Sequence, residues 1–195
     1  MPSDRAHPRP SSPEPGRRLP TNTTWADLVV APPALAQLRQ IAAEASVRFR
    51  GFTPSGRSVG MTALFAGPRG TGKTRAAQVL ANALQLDLYL IDLSQVVSKY
   101  VGETEKNLER VLDASADGRA VLLFDEADAL FGQRTDVKDS HDRYANLDVS
   151  HLLQRIEDFK GLAILATNRK QDLDDAFLRR LRYVVEFPAP APTPR

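Results

Sequence analysis

The sequence predicts an α/β fold: a doubly wound domain around a five-stranded parallel sheet. Three observations carry that expectation. Short apolar runs alternate five times with longer segments of helical spacing. A glycine-rich stretch, GPRGTGKT, falls between the first apolar run and the helical segment after it. The run AVLLFDEAD is apolar on both faces until Asp125, as in a strand from the middle of a parallel sheet.

In chain order, MTALFAG (61–67) reads as a buried strand leading into TGKTRAAQVLANALQL, where Ala76, Val79, Leu80 and Ala83 share one helical face. DLYLIDL (87–93) is the second strand. The next helix starts near Gly102, with Glu103 and Glu105 in its first turn and Leu108, Val111 and Leu112 on its buried face. AVLLFDEAD is the third strand, and the polar stretch GQRTDVKDSHDRYAN reads as a loop. A helix with the stripe Val149, Leu152, Leu153 and Ile156 follows. LAILATN is the fourth strand, LDDAFLRRL a short helix and YVVEF the fifth strand; no internal repeat is visible.

The chain has 195 residues, 42% of them hydrophobic, enough for one domain with a core. Its 14 prolines concentrate at the two ends, so residues 1–20 and 188–195 read as flexible tails around a body of 21–187. The net charge of +2 is small and gathers partly at Arg5, Arg9, Arg17 and Arg18, a pattern that argues against a nucleic-acid partner. With no cysteine there is neither a disulfide framework nor a thiolate metal site, and His7, His141 and His151 are scattered. No apolar run is long enough for a membrane span and no signal-peptide core is present, so a cytoplasmic chain without membrane contact is expected.

GPRGTGKT fits a phosphate-binding loop and stands where one is needed, between a strand and a helix. Gly67, Gly70 and Gly72 allow backbone N–H groups to turn toward a triphosphate, with Pro68, Arg69 and Thr71 completing the loop. Lys73 is placed to reach the β and γ phosphates of ATP, and the Thr74 hydroxyl to ligate Mg²⁺. The bland alternative is a chance glycine-rich turn. Asp125 ends the third strand and suits a metal held through water, while Glu126 suits polarisation of an attacking water. Two consecutive acids also favour a helix start, but their company with the phosphate loop selects the catalytic reading.

With these motifs the chain resembles an AAA+ ATPase, specifically its large subdomain with a phosphate-loop core. Beside GPRGTGKT and FDEAD it carries SKYVGETEKNL (98–108), similar to the family's pore loop, and ILATN, similar to its sensor 1 strand. DDAFLRRLR (174–182) is similar to the arginine-finger segment. The resemblance implies that Asn168 touches the γ phosphate, and that Lys99, Tyr100, Val101 and Gly102 form a pore loop gripping a polypeptide substrate. It also implies that Arg179 and Arg182 reach the nucleotide of the next subunit in a homohexameric ring. The chain departs from the family pattern in three places. Arg180 and Leu181 stand where Pro-Gly usually separates the two arginines; WADLVVAPP has Val29 and Val30 in place of paired glycines near adenine, with Leu28 and Val29 as candidate base contacts; and PAPAPTPR cannot form the helical lid.

Among family members, the runs DEADALFGQRTDVKDSHDRYAN and FLRRLRYVVEFP look most like bacterial AAA+ ATPases found with phage-tail-like contractile injection systems. The expected activity is Mg²⁺-dependent ATP hydrolysis by a ring that remodels or threads protein. A competing reading is a nucleotide-binding scaffold that holds ATP without turning it over. The letters DEAD also occur in RNA helicases, but those need two such domains and an RNA-binding surface, for which this chain is too short and too weakly charged.

Overall fold

The computed structural model describes residues 16–50, 60–94, 112, 120–130 and 151–189. Its strands are β1 (Arg17–Leu19), β2 (Met61–Ala66), β3 (Asp87–Asp92), β4 (Ala120–Asp125), β5 (Leu162–Thr167) and β6 (Tyr183–Glu186). The helices are α1 (Pro32–Arg50), α2 (Lys73–Leu84), α3 over 151–158 and α4 (Asp175–Leu178). No helix among the described residues is long and apolar enough to cross a membrane.

The five strands expected from the apolar runs are all present and parallel, in the order β3-β4-β5-β2-β6. A sixth, β1, pairs antiparallel with the outer edge of β3. It lies inside the stretch read from composition as a flexible tail, which corrects the expected start of the ordered body. Three contacts explain its order: Leu19 is buried, Arg18 pairs with Asp87, and Pro20 O accepts from Gln78 Nε2 at 3.1 Å. Further on, Thr23 O accepts from Asn82 Nδ2 at 3.0 Å, so the segment is strapped across α2.

Helix α1 was not announced by the sequence reading. It opens on Pro32 and Pro33, which suit a first turn because their missing N–H groups have no intrahelical acceptor there. Ala34, Leu38, Ile41 and Ala45 then recur every three or four residues, and all four are buried.

Both faces of the sheet are covered. Phe65, Val121, Leu123, Ile164 and Val185 meet α1 and α2 on one side, through Leu38, Ile41, Val79 and Leu80. Leu64, Leu122, Phe124 and Leu165 meet Ile156 and Phe177 on the other. The central strands β2, β4 and β5 therefore have no polar face, which is why they read as largely apolar runs.

The register gathers the chemistry at one end. Ala66 lies opposite Thr167 and Phe124 opposite Leu165, so Gly67, Asp125, Glu126 and Asn168 all lie at or just beyond the carboxyl ends of adjacent strands. Because β2 lies between β5 and β6, α2 must cross the sheet to reach β3, and the crevice opens beside the start of α2.

Candidate active site

The phosphate-loop residues turn tightly above β2. Gly67 N donates to Thr167 O at 3.1 Å, tying the loop to β5. A Cβ at Gly67 would lie 2.0 Å from Phe187 O, so only glycine lets β6 approach this closely. Gly70 (φ 78°) and Gly72 (φ 100°) are in the left-handed region, and Thr71 Oγ1 donates to Pro68 O at 2.8 Å. Gly72 caps α2, and the first-turn N–H groups of that helix face the loop without intrahelical acceptors.

Lys73 is buried at the base of the loop. Its Nζ donates to Gly67 O at 2.5 Å, Pro68 O at 2.9 Å and Asn168 Oδ1 at 2.9 Å. Burial pushes its ammonium below the ordinary lysine value, opposed by the carboxylates of Asp125 and Asp128 and reinforced by the Arg69 cation. The lysine thus meets the strand-end amide of β5 directly, across 95 residues of sequence.

The carboxylates after β4 form the opposite wall. Glu126 N donates to Asp125 Oδ1 at 2.9 Å, and Glu126 holds a left-handed backbone at φ 56°. Arg69 reaches over from the loop and pairs with Glu126 Oε1 at 2.5 Å. Asp128 was missed by the sequence reading. Its Oδ1 accepts the Thr167 hydroxyl at 2.8 Å and lies 3.4 Å from Asn168 N, fixing the end of β5. Only the acidic run DEAD hinted at it.

These groups line a cleft of about 320 Å³, bounded by Arg69, Gly70, Gly72, Lys73, Thr74 and Arg75 on one side and by Asp125, Glu126 and Asn168 on the other. The donor set fits a nucleoside triphosphate with Mg²⁺. The left-handed glycines, the start of α2 and the Lys73 cation suit phosphate, while the exposed Thr74 hydroxyl and the Asp125 carboxylate are hard oxygen ligands.

The other expected site residues are elsewhere. Arg179, at the C-cap of α4, and Arg182 both precede β6, whose first residue, Tyr183, lies opposite Ala63. Since β2 and β6 are parallel, that is the amino-terminal end of β6, level with a point four residues, or about 13 Å, along β2 from Gly67. Arg180 pairs with Glu157 and Arg182 with Glu44, partners that sequence reasoning had not identified. Lys99, Tyr100, Val101 and Gly102 lie outside the described residues. Near the expected base site, Leu28 belongs to the core, Val29 is exposed, and Val30 lies beside Gly72.

A glycine-bent phosphate loop at the switch point of a mostly parallel sheet, faced by acidic and amide strand ends, defines a phosphate-loop nucleotide-binding domain. Residues 63–189 match the family model described as ATPase family associated with various cellular activities (AAA). The chain belongs to the AAA ATPase family. It is 38% identical over 129 residues to an uncharacterized AAA family ATPase, y4kL, of Sinorhizobium fredii, covering 65% of this chain and 38% of that protein. It is 30% identical over 181 residues to proteasome-activating nucleotidase 2 of Halobacterium salinarum, covering 89% of this chain and 44% of that protein. Among solved structures, the FIGL-1 AAA domain in complex with ADP superposes with a TM-score of 0.69 at 28% identity, over 92% of this chain and 60% of that one. The chain therefore spans less than half the length of these two curated relatives.

Proposed function

We propose that this chain binds ATP with Mg²⁺ and hydrolyses it within a ring of its own copies, coupling turnover to the remodelling or threading of a protein substrate. The observation that carries the reading is a separation: one cleft gathers Lys73, Asp125, Glu126 and Asn168, while the arginine segment leads into the amino-terminal end of β6, outside that cleft. An arginine segment that leads into the amino-terminal end of β6, away from its own phosphate loop, is better placed to serve a neighbour's nucleotide than its own.

In this reading the loop N–H groups and Lys73 bind the phosphates, while Thr74 and Asp125 hold Mg²⁺. Bound there, the metal would supply neutralisation of phosphate charge. Glu126 takes the proton of the attacking water, Asn168 orients that water, and an arginine from the next subunit stabilises the charge of the transition state. Lys99, Tyr100, Val101 and Gly102 are proposed to contact the polypeptide. The likeness to a proteasome-activating nucleotidase supports a protein-directed ATPase in general terms. The narrower likeness to ATPases of contractile injection systems rests on the sequence runs quoted above.

Steady-state hydrolysis at increasing protein concentration tests the reading. Activity per mole should rise with concentration, and Glu126→Gln should abolish turnover while fluorescent ATP remains bound. Turnover independent of concentration would refute the ring, and tight binding without turnover in the unaltered chain would favour the scaffold.

A further inference from the structure

Two candidate finger arginines are three residues apart, yet the structure treats them differently. Arg182 is bound to Glu44 of α1 in a bidentate arrangement, Nε to Oε2 at 3.0 Å and the guanidinium to Oε1 at 2.7 Å. The same carboxylate accepts Tyr183 OH at 2.6 Å and pairs with Arg48 at 2.7 Å. Burial alone pushes Glu44 upward, but the hydrogen bonds from Tyr183 and Arg182, with the nearby cations, outweigh it and hold the carboxylate below its usual range. Glu44 is only 21% exposed, so drawing Arg182 away would leave a largely enclosed carboxylate without its bidentate partner.

The residues between the two arginines are also fixed. Arg180 pairs with Glu157, and Leu181 is buried against the apolar layer that contains Phe177. Arg179 caps the C-terminus of α4; it is exposed, and its side chain makes no ion pair among the described residues. An arginine that stabilises charge in another subunit must be available without first breaking an internal pair, and Arg179 meets that condition.

We propose that Glu44 is the positioning residue of the arginine segment: it holds Arg182 within the subunit and leaves Arg179 as the guanidinium presented to the triphosphate of a neighbouring copy. The division of labour between the arginines rests on the ring reading above; the Glu44–Arg182 anchor does not. Glu44 therefore acts through the arginines, from the face of α1 that packs toward β6.

Arginine-selective labelling with phenylglyoxal, mapped by mass spectrometry on the full chain, tests both parts. Arg179 should label several-fold faster than Arg182, and Glu44→Gln should raise the Arg182 rate toward that of Arg179. If Glu44→Gln fails to fold, Glu44→Asp, one methylene shorter, provides the same comparison. A non-hydrolysable ATP analogue with Mg²⁺ should then protect Arg179 in proportion to protein concentration and leave Arg182 unchanged. Equal labelling of the two arginines in the unaltered chain, or an Arg182 rate that ignores Glu44, would overturn the anchor. Protection of Arg182 in place of Arg179 would overturn the assignment. Analogue binding that protects neither overturns the ring reading and, with it, the role given to Arg179, while the Glu44 comparison still decides the anchor.

Discussion

Asp128 Oδ1 accepts the hydroxyl of Thr167 at 2.8 Å, so the turn after β4 sets the end of β5. Thr167 is fully buried, and loss of its acceptor leaves a polar group unsatisfied, at a cost of about 1–3 kcal/mol. Asp128→Ala should lower the unfolding free energy by that amount; Asp128→Asn, which keeps an oxygen acceptor, should lower it less. Asn168 follows Thr167 directly, so turnover should fall further than stability alone explains. Urea denaturation of the two variants checks the first point, and equal losses would show that the acceptor is unimportant.

Lys73 gives the chain a pH-dependent stability. Its native value is pushed down mainly by burial, so in the interval between that value and the ordinary 10.5 the unfolded chain holds more protons than the folded one. Stability must rise with pH across this interval; below it the full cost of burying the cation is present. Lys73→Met removes the titration. The expected outcome is a rise in unfolding free energy between neutral pH and about pH 10 in the unaltered chain that is smaller in the variant, together with weakened ATP binding in the variant. Parallel pH profiles for the two proteins would contradict it.

The phosphate loop was legible because its chemistry is local: eight consecutive residues specify a turn, a helix start, a cation and a hydroxyl. The five parallel strands were legible because burial on both faces leaves few polar positions, mostly at the strand ends. Helix α1 was harder to see, since alanines supply half of its most buried positions and two prolines begin it. Strand β1 is too short for a period, and it is held by a neighbouring strand and helix. The role of Asp128 was barely legible and that of Glu44 not at all. Their roles depend on contacts across 39 and 138 residues, which no local pattern encodes.

Gly67 should be the least replaceable glycine of the loop. Its missing Cβ leaves room for the backbone carbonyl of Phe187, which would otherwise be 2.0 Å away, whereas a Cβ at Gly70 meets nothing within 4 Å. Gly70→Ala carries only its left-handed backbone cost of about 1–2 kcal/mol. Gly67→Ala must also displace β6 or the loop, adding about 1–3 kcal/mol of overpacking strain. Thermal unfolding should therefore rank Gly67→Ala well below Gly70→Ala, and the reverse order would mean that β6 yields without cost.

Glu126, the proposed base of the reaction, has a strained backbone. A non-glycine residue at φ 56° is unfavourable, and the strain persists because β4 and the turn after it fix the chain on either side. Glu126→Gly and Glu126→Ala both remove the carboxylate, the pair with Arg69 and any turnover that depends on Glu126, so these losses cancel in a comparison of the two. What remains is the left-handed cost borne by alanine, about 1–2 kcal/mol, reduced by the greater freedom of glycine in the unfolded chain. Glu126→Gly should accordingly be more stable than Glu126→Ala by about 1 kcal/mol in urea denaturation. A more stable alanine variant would show that the turn relaxes out of the left-handed region once the side chain is removed, and that the strain belongs to the Glu126 side chain and not to the backbone path between β4 and Ala127.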